Sequence, residues 1–529
     1  MSLSRLKAAS HFLEAFIAAL KRKASSVVTK TEQGLREATC YEDAFFVRYV
    51  RQVDRSGRSV KNARSKKKRS NPMANPIILL HGYASDGEAF STFRDVLQQS
   101  GRAVTDIFIG NYVTLNNEIT VDDIAEGFNY SLRANNLFGK PFDAIVHSTG
   151  MLVMRAWLTA PNALVSRKGL LKRLIALAPA TFGSPIAAKG RSLLGRIFIG
   201  SKEPGPDFLV SGNLVLSNLE LGSEYTWNLA HKDMIDEQYY GPDKSTPYVF
   251  VFDGTSDYGT LAEIFDADDQ KGSDGVVRWS GVALNTRKIT LDLSHPENQV
   301  QWSDWSGIDI PIIPIAGVNH NQILAKPPQG LVDLVLKALT VDSEQSFKQF
   351  HEVDVANTQV VKDGRAKIDA DPWQQFVVHA RDSHGNAVVD YAVSIVATQD
   401  GQYLGELGNF EEDVHPFAAD PSYRCFHVNL KDYEQNLQGK KLAIRIVAST
   451  GTDMVGYQGY GSGYTTGLEP TIGPVDIDIS RYQDQNPGQP SLFCPFTTTL
   501  VEIILNRAPM PQTGKTTLEI FGFIGAQGT

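Results

Sequence analysis

Phe142-Asp143-Ala144-Ile145-Val146-His147-Ser148-Thr149-Gly150-Met151-Leu152-Val153-Met154-Arg155-Ala156-Trp157-Leu158 is the stretch that decides the fold of this chain. Ala144-Ile145-Val146 has the length and branching of a buried parallel strand. The run stops at His147-Ser148-Thr149-Gly150, and from Met151 the apolar residues return at helical spacing as Met151, Met154 and Leu158, with Trp157 alongside. A serine at such a strand-to-helix turn sits on a sharp corner with its hydroxyl outward. Gly150 supplies the small neighbour that this corner needs.

The arrangement resembles the nucleophile elbow, G-x-S-x-G, of the α/β-hydrolases, with Val146 in place of the first glycine. The resemblance extends in both directions. Upstream, Pro76-Ile77-Ile78-Leu79-Leu80-His81-Gly82-Tyr83 is a buried strand ending in His-Gly, similar to the oxyanion loop of bacterial lipases and esterases. It implies the backbone N–H groups of Tyr83 and Thr149 as oxyanion donors, with His81 holding the loop. Downstream, Gly272-Ser273-Asp274-Gly275-Val276-Val277 is similar to the D-G-x-V segment that carries the acid in lipases. Pro311 to His320 reads as a late strand followed by a loop histidine. The implied triad, in the chain order of this superfamily, is Ser148, Asp274 and His320. Asp253 and Asp257, at and after the strand Tyr248–Phe252, are alternative acids, and His295 is the alternative histidine.

Strand signals at residues 76–80, 105–109, 143–147, 173–178, 247–252 and 310–316, with helical stretches between, predict an α/β fold with a doubly wound, mostly parallel sheet. An earlier strand is expected at 44–50. The catalytic domain is read over 36–340, with residues 183–246 as a cap or lid insertion, because so long a connection rich in apolar residues has a function of its own. Beyond 345 the texture becomes short strands and turns, read as an all-β accessory domain of sandwich type. Its Gly/Tyr run, 456–464, suits a recognition loop or a plain surface loop. Residues 1–35 carry an amphipathic helix, too short and too polar to span a bilayer, read first as packing on the body and second as a peripheral lipid contact.

At 529 residues with 42% hydrophobic and 21% charged residues, the chain has material for two or three domains and large cores. A net charge of −8 without a basic, aromatic-interleaved stripe argues against nucleic acid as a partner. The basic run at 61–69 reads as a solvated loop. Cys40, Cys425 and Cys494 have no metal-ligand spacing. The absence of a clear export-signal pattern favours the cytoplasm, with export as the alternative. Asp266, Asp268 and Asp269 invite a structural calcium, against which stands a solvated acidic loop. The resemblance implies a serine ester hydrolase, a carboxylesterase or lipase needing no cofactor, with an ester or lipid as substrate. A phospholipase or polyesterase acting at a surface, and a binding protein on a hydrolase fold, are the alternatives.

Overall fold

The computed structural model describes residues 74–509 other than 104–106, 113–115, 161–166, 189–211, 242–246, 259–270, 295–299, 304–308, 400–401, 408–412, 432–439, 459–473, 483–490 and a few single positions. The N-terminal amphipathic stretch, the expected strand at 44–50, the basic run, His295, Asp266–Asp269 and most of the Gly/Tyr run lie outside these residues.

In the first half, the strands are β1 (Ile77–Leu80), β2 (Ile107–Gly110), β3 (Phe142–His147), β4 (Leu171–Leu177), β5 (Tyr248–Gly254), β6 (Thr286–Asp292), β7 (Val300–Ser303) and β8 (Ile312–Ile315). The helices are α1 (Ser91–Gln99), α2 (Val121–Ala134), α3 (Gly150–Thr159), α4 (Asn213–Leu219), α5 (Glu224–Ala230), α6 (Gln322–Ala325), α7 (Gln329–Ala338), α8 (Glu344–Gln349) and α9 (Gln359–Ile368). One parallel sheet runs in the order β2-β1-β3-β4-β5-β8. Its strands are apolar on both faces, and their alternate side chains feed two different cores. Ile78, Leu80, Ala144, Val146, Leu174, Ala176, Val249 and Val251 enter one core with helices α2 and α3. Ile77, Leu79, Ile145, Ile175, Leu177, Phe250, Phe252, Ile313 and Ile315 enter the other with α7. This two-sided burial is why the strands read as unbroken apolar runs. Each such Val, Leu, Ile or Phe side chain contributes roughly 1.5–3 kcal/mol.

Helical structure continues through Ile368, past the point near 345 where the sequence reads as turning to strands. The reason is local: Phe347 and Phe350 stand one helical turn apart, and with Val355 and Val361 they pack into the second core. His351 lies against Phe347 and Phe350 at ring distances of 4.7 and 5.2 Å. Burial, then the nearby Arg365, pulls its pKa down to about 4. The unfolded chain takes up this proton at the ordinary histidine value of about 6.5 and the native chain does not. The contribution to stability is therefore present above pH 6.5 and lost as pH falls toward 4. The expected loss is roughly 3 kcal/mol in urea titrations, shallower in His351→Leu. An unchanged pH slope in the variant would contradict this.

The later strands are β9 (Trp373–Asp382), β10 (Tyr391–Gln399), β11 (Gln402–Glu406), β12 (Val414–Pro416), β13 (Tyr423–Asn429), β14 (Lys441–Ala448), β15 (Val455–Gln458), β16 (Val475–Asp478) and β17 (Thr498–Pro509). One sheet runs β11-β10-β14-β16 and is antiparallel. The other runs β12-β13-β9-β17-β6-β7, with β15 paired to β17. It includes two strands from before β8, and β17 is parallel to both β9 and β6. The mixed sheet is a middle layer. Val377, Cys425 and Leu500 face the core shared with α2 and α3, whereas Phe376, Val378, Phe426, Val501 and Ile503 face a core closed by the antiparallel sheet.

Candidate active site

Strand β3 delivers Ser148 to a corner. Its φ of +53° lies in the left-handed region, a strain of order 1–3 kcal/mol for a residue with a Cβ. The neighbours hold it there. The Ser148 N–H donates to the Leu177 carbonyl at 3.2 Å, and its own carbonyl accepts from the Met151 and Ala180 N–H groups at 3.1 and 3.2 Å. At Gly150 a Cβ would stand 2.7 Å from the Leu80 carbonyl oxygen and 3.0 Å from that of His81, so only glycine lets the end of β1 lie against the elbow. A Cβ at Gly82 would meet the Ser148 Cβ at 2.8 Å and its Oγ at 3.4 Å. Gly82 therefore lies directly against the serine side chain. Val146, in the place of the motif's first glycine, is wholly buried in the core with α2 and α3, which has room for its bulk.

The other predicted groups arrive from the far edge of the sheet. Asp274 lies in the turn after β5 and is fully buried. Its Oδ1 accepts the N–H groups of Val276 at 2.9 Å and Val277 at 2.8 Å. Its Oδ2 accepts from His320 Nδ1 at 2.7 Å, and the His320 N–H donates to the Asp274 carbonyl at 3.1 Å. A proton on Nδ1 leaves Nε2 as the basic nitrogen of the neutral ring. Burial pushes the Asp274 carboxyl upward. The His320 charge, its hydrogen bond, a bond from Asp253 and the Val277 N–H outweigh that and hold it below the usual range. Of the alternative acids, Asp253 is buried beside Asp274, whereas Asp257 is exposed.

Two histidines flank this set. His81 donates from Nδ1 to the Gly82 carbonyl at 2.8 Å and accepts the Tyr112 N–H at Nε2 at 3.2 Å. It also stacks on the Tyr112 ring at 4.0 Å, which makes it a prop for the loop. His147, which the sequence reading passed over, reaches from β3 to the histidine loop: its Nε2 donates to the His320 carbonyl at 2.9 Å. Burial, then the His320 charge, pulls its pKa down to about 3, so it remains neutral. This bond ties the residue before Ser148 to His320 directly. Its only signal in the sequence is adjacency to the serine.

Two ion pairs, one wholly buried and one partly, hold the elements that carry these groups. Arg155 on α3, fully buried, makes a bidentate pair with Asp233 at 2.8 and 2.9 Å and donates to the Thr181 carbonyl. Tyr240 donates to the same carboxylate at 2.7 Å. Arg278, four residues after Asp274, is fully buried and pairs with Asp413 at 2.6 Å, which in turn meets His427 at 3.2 Å. The acid turn is thereby joined to the mixed sheet. Ser184 Oγ donates to the Val276 carbonyl at 2.6 Å, joining the start of the 183–246 insertion to the same turn. Within that insertion, α4 and α5 bury Val215, Leu219, Trp227 and Leu229 in the first core. Cys425 and Cys494 are free thiols. Among the described residues no group of His, Cys, Asp or Glu is placed to hold a metal ion, and no helix is long and apolar enough to cross a membrane.

No protein-family model matches the chain, and no curated protein does. Among solved structures, the phospholipase PlaB from Legionella pneumophila superposes with a TM-score of 0.65 at 22% identity, covering 82% of this chain and 94% of that one. PlaB in complex with thio-NAD gives 0.63 at 21%, covering 82% and 93%. The mature lipase BlEst2 of Bacillus licheniformis gives 0.32 at 16%, covering 52% and 96%. The fold of the first half is that of the α/β-hydrolases, and the likeness to PlaB runs over most of both chains.

Proposed function

We propose that this chain is a serine carboxylic ester hydrolase working through an acyl-enzyme. The observation that carries the reading is the Asp274–His320 hydrogen bond, which leaves Nε2 as the basic nitrogen, together with a strained serine packed against Gly82. In the proposed sequence, His320 Nε2 takes the Ser148 proton as Oγ attacks the ester carbonyl. The N–H groups of Tyr83 and Thr149 hold the oxyanion, a pairing worth about 3–4 kcal/mol per donor in comparable sites. The tetrahedral intermediate collapses, the alcohol leaves with the proton from His320, and water then frees the acid with His320 as base. Asp274 keeps the imidazole in its Nδ1–H form throughout. The insertion at 183–246 is read as the cap that supplies acyl-binding surface.

A lipid substrate is the favoured class. What supports it is that the chain shares its fold, over 82% of its length, with a protein whose structure is that of a phospholipase. The test pairs a fluorophosphonate probe with two substrates, a soluble p-nitrophenyl butyrate and phosphatidylglycerol vesicles. The expected result is labelling at Ser148 and fatty-acid release from vesicles. Absence of labelling would overturn the serine mechanism and favour a binding protein on this fold. Labelling with turnover of the soluble ester alone would overturn the lipid assignment.

A further inference from the structure

The strand β5 ends in a second carboxyl group that the mechanism above does not use. Asp253 has no exposed surface, and one of its oxygens, Oδ1, accepts the Gly254 N–H at 2.9 Å. The other, Oδ2, is buried with no conventional donor among the described residues. Its side chain is in hydrogen-bond contact with that of Asp274. Two fully buried carboxylates in contact cannot both carry charge, and a hydrogen bond between them needs a proton on one. Asp274 already accepts two backbone N–H groups and the His320 imidazole, all of which favour its charged form. Asp253 has a single backbone donor. The proton therefore rests on Asp253.

The surroundings keep that contact rigid. The Trp279 indole of the acid turn donates to the Gly254 carbonyl at 3.0 Å, and the Ser256 N–H donates to the Val318 carbonyl of the histidine loop at 3.1 Å. A Cβ at Gly254 would stand 2.3 Å from that same Val318 oxygen. The end of β5 is thus wedged between the two loops that bring Asp274 and His320 together. The titratable or charged groups facing the pair are His320, His147 from β3, Tyr258, and Lys367 of α9, whose ammonium meets the Thr255 carbonyl. Burial first, then the Asp274 charge and the bond to it, raises the Asp253 carboxyl well above the usual range.

We propose that Asp253 is a positioning residue, a neutral carboxylic acid whose O–H donates to the Asp274 carboxylate and holds it in line with His320. This rests on the triad reading, and it makes the acid member of the site a carboxyl–carboxylate pair. No group is consumed: the proton stays on Asp253 through the cycle.

The test uses the full chain. Infrared spectra with isotope-labelled aspartate are expected to show a protonated carboxyl C=O stretch at pH 7 that disappears in Asp253→Asn. An amide N–H can replace the O–H, so Asp253→Asn is expected to keep kcat within a few-fold, with the acid limb of its pH profile unmoved. Asp253→Ala, which leaves the Asp274 carboxylate free to shift, is expected to lose about 10- to 100-fold in kcat with KM little changed. Thermal melts report whether each variant folds. A missing band, an acid limb that moves to lower pH in Asp253→Asn, or a wild-type kcat in folded Asp253→Ala would each overturn the proposal. A downward move would mean that a negative charge had been removed. The band reports the proton whether or not an ester is turned over. Its absence sinks this inference alone, and absent turnover with the band present sinks the hydrolase reading alone.

Discussion

Ser148→Ala is expected to lower ester turnover by about 10³- to 10⁶-fold while the protein still folds. The size of the effect follows from the division of labour in the site. Asp274 and His320 remain hydrogen-bonded without the serine, but they have no oxygen to deprotonate, and attack by water at a site shaped for an alkoxide is slow. A residual rate comes from substrate binding and the oxyanion donors alone. Folding is expected to survive because the hydroxyl holds no part of the core, and the corner is kept by backbone bonds from Ser148 to Leu177, Met151 and Ala180. Alanine keeps the strain of a positive φ, and glycine removes it. Ser148→Gly is therefore expected to be equally inactive and to melt higher than Ser148→Ala, the gain being about 1 kcal/mol. Calorimetry beside an assay with p-nitrophenyl butyrate checks both. Activity within tenfold of wild type in Ser148→Ala would place the nucleophile elsewhere.

Asp233→Ala carries the largest expected effect on stability. Arg155 and Asp233 are both without exposed surface, and the guanidinium also serves the Thr181 carbonyl, beside the end of β4. Removing the carboxylate leaves an uncompensated cation in an apolar interior and an unpaired Tyr240 hydroxyl. Breaking such a pair costs about 3–5 kcal/mol. Replacing both charges with apolar groups of similar volume, as in Arg155→Met with Asp233→Leu, is expected to return most of that loss, because a buried pair must first repay its own desolvation. Urea unfolding of the single and double variants measures it. A single variant as stable as wild type would show that Arg155 finds water when its partner goes. The pair matters for the site because Arg155 is one and a half turns along the helix that starts behind Ser148.

Several parts of the fold are legible in the residues alone. The elbow is one, since a strand of β-branched residues, a serine and a glycine in fixed register are local features. The fully buried strands β1, β3, β5 and β8 and the second half of β4 are others, because two-faced burial writes itself as a continuous apolar run. Asp274 and His320 were named from short motifs, and the structure brings them together. Strand β6 escaped notice for the opposite reason. Its Thr286-Arg287-Lys288-Ile289-Thr290-Leu291-Asp292 run is polar in part, and it becomes a strand by pairing with β17, more than two hundred residues further on. Asp253 offers itself in the sequence only as a rival acid at the end of a strand, and its Asp-Gly dipeptide says nothing of a contact with Asp274. Arg278 gave no signal at all.

The chain's own order of residues determined the layered α/β half, the corner that holds Ser148, and the short motifs that carry Asp274 and His320, because periodicity and turn chemistry act over a few residues. Only the tertiary structure decided that the mixed sheet takes strands from both halves, that Asp413 secures the acid turn through Arg278, and that Asp253 touches Asp274. Those outcomes depend on which distant surfaces exclude water from one another, and where a proton rests depends on how many donors each carboxyl then finds. Neither quantity is a property of any short stretch of chain.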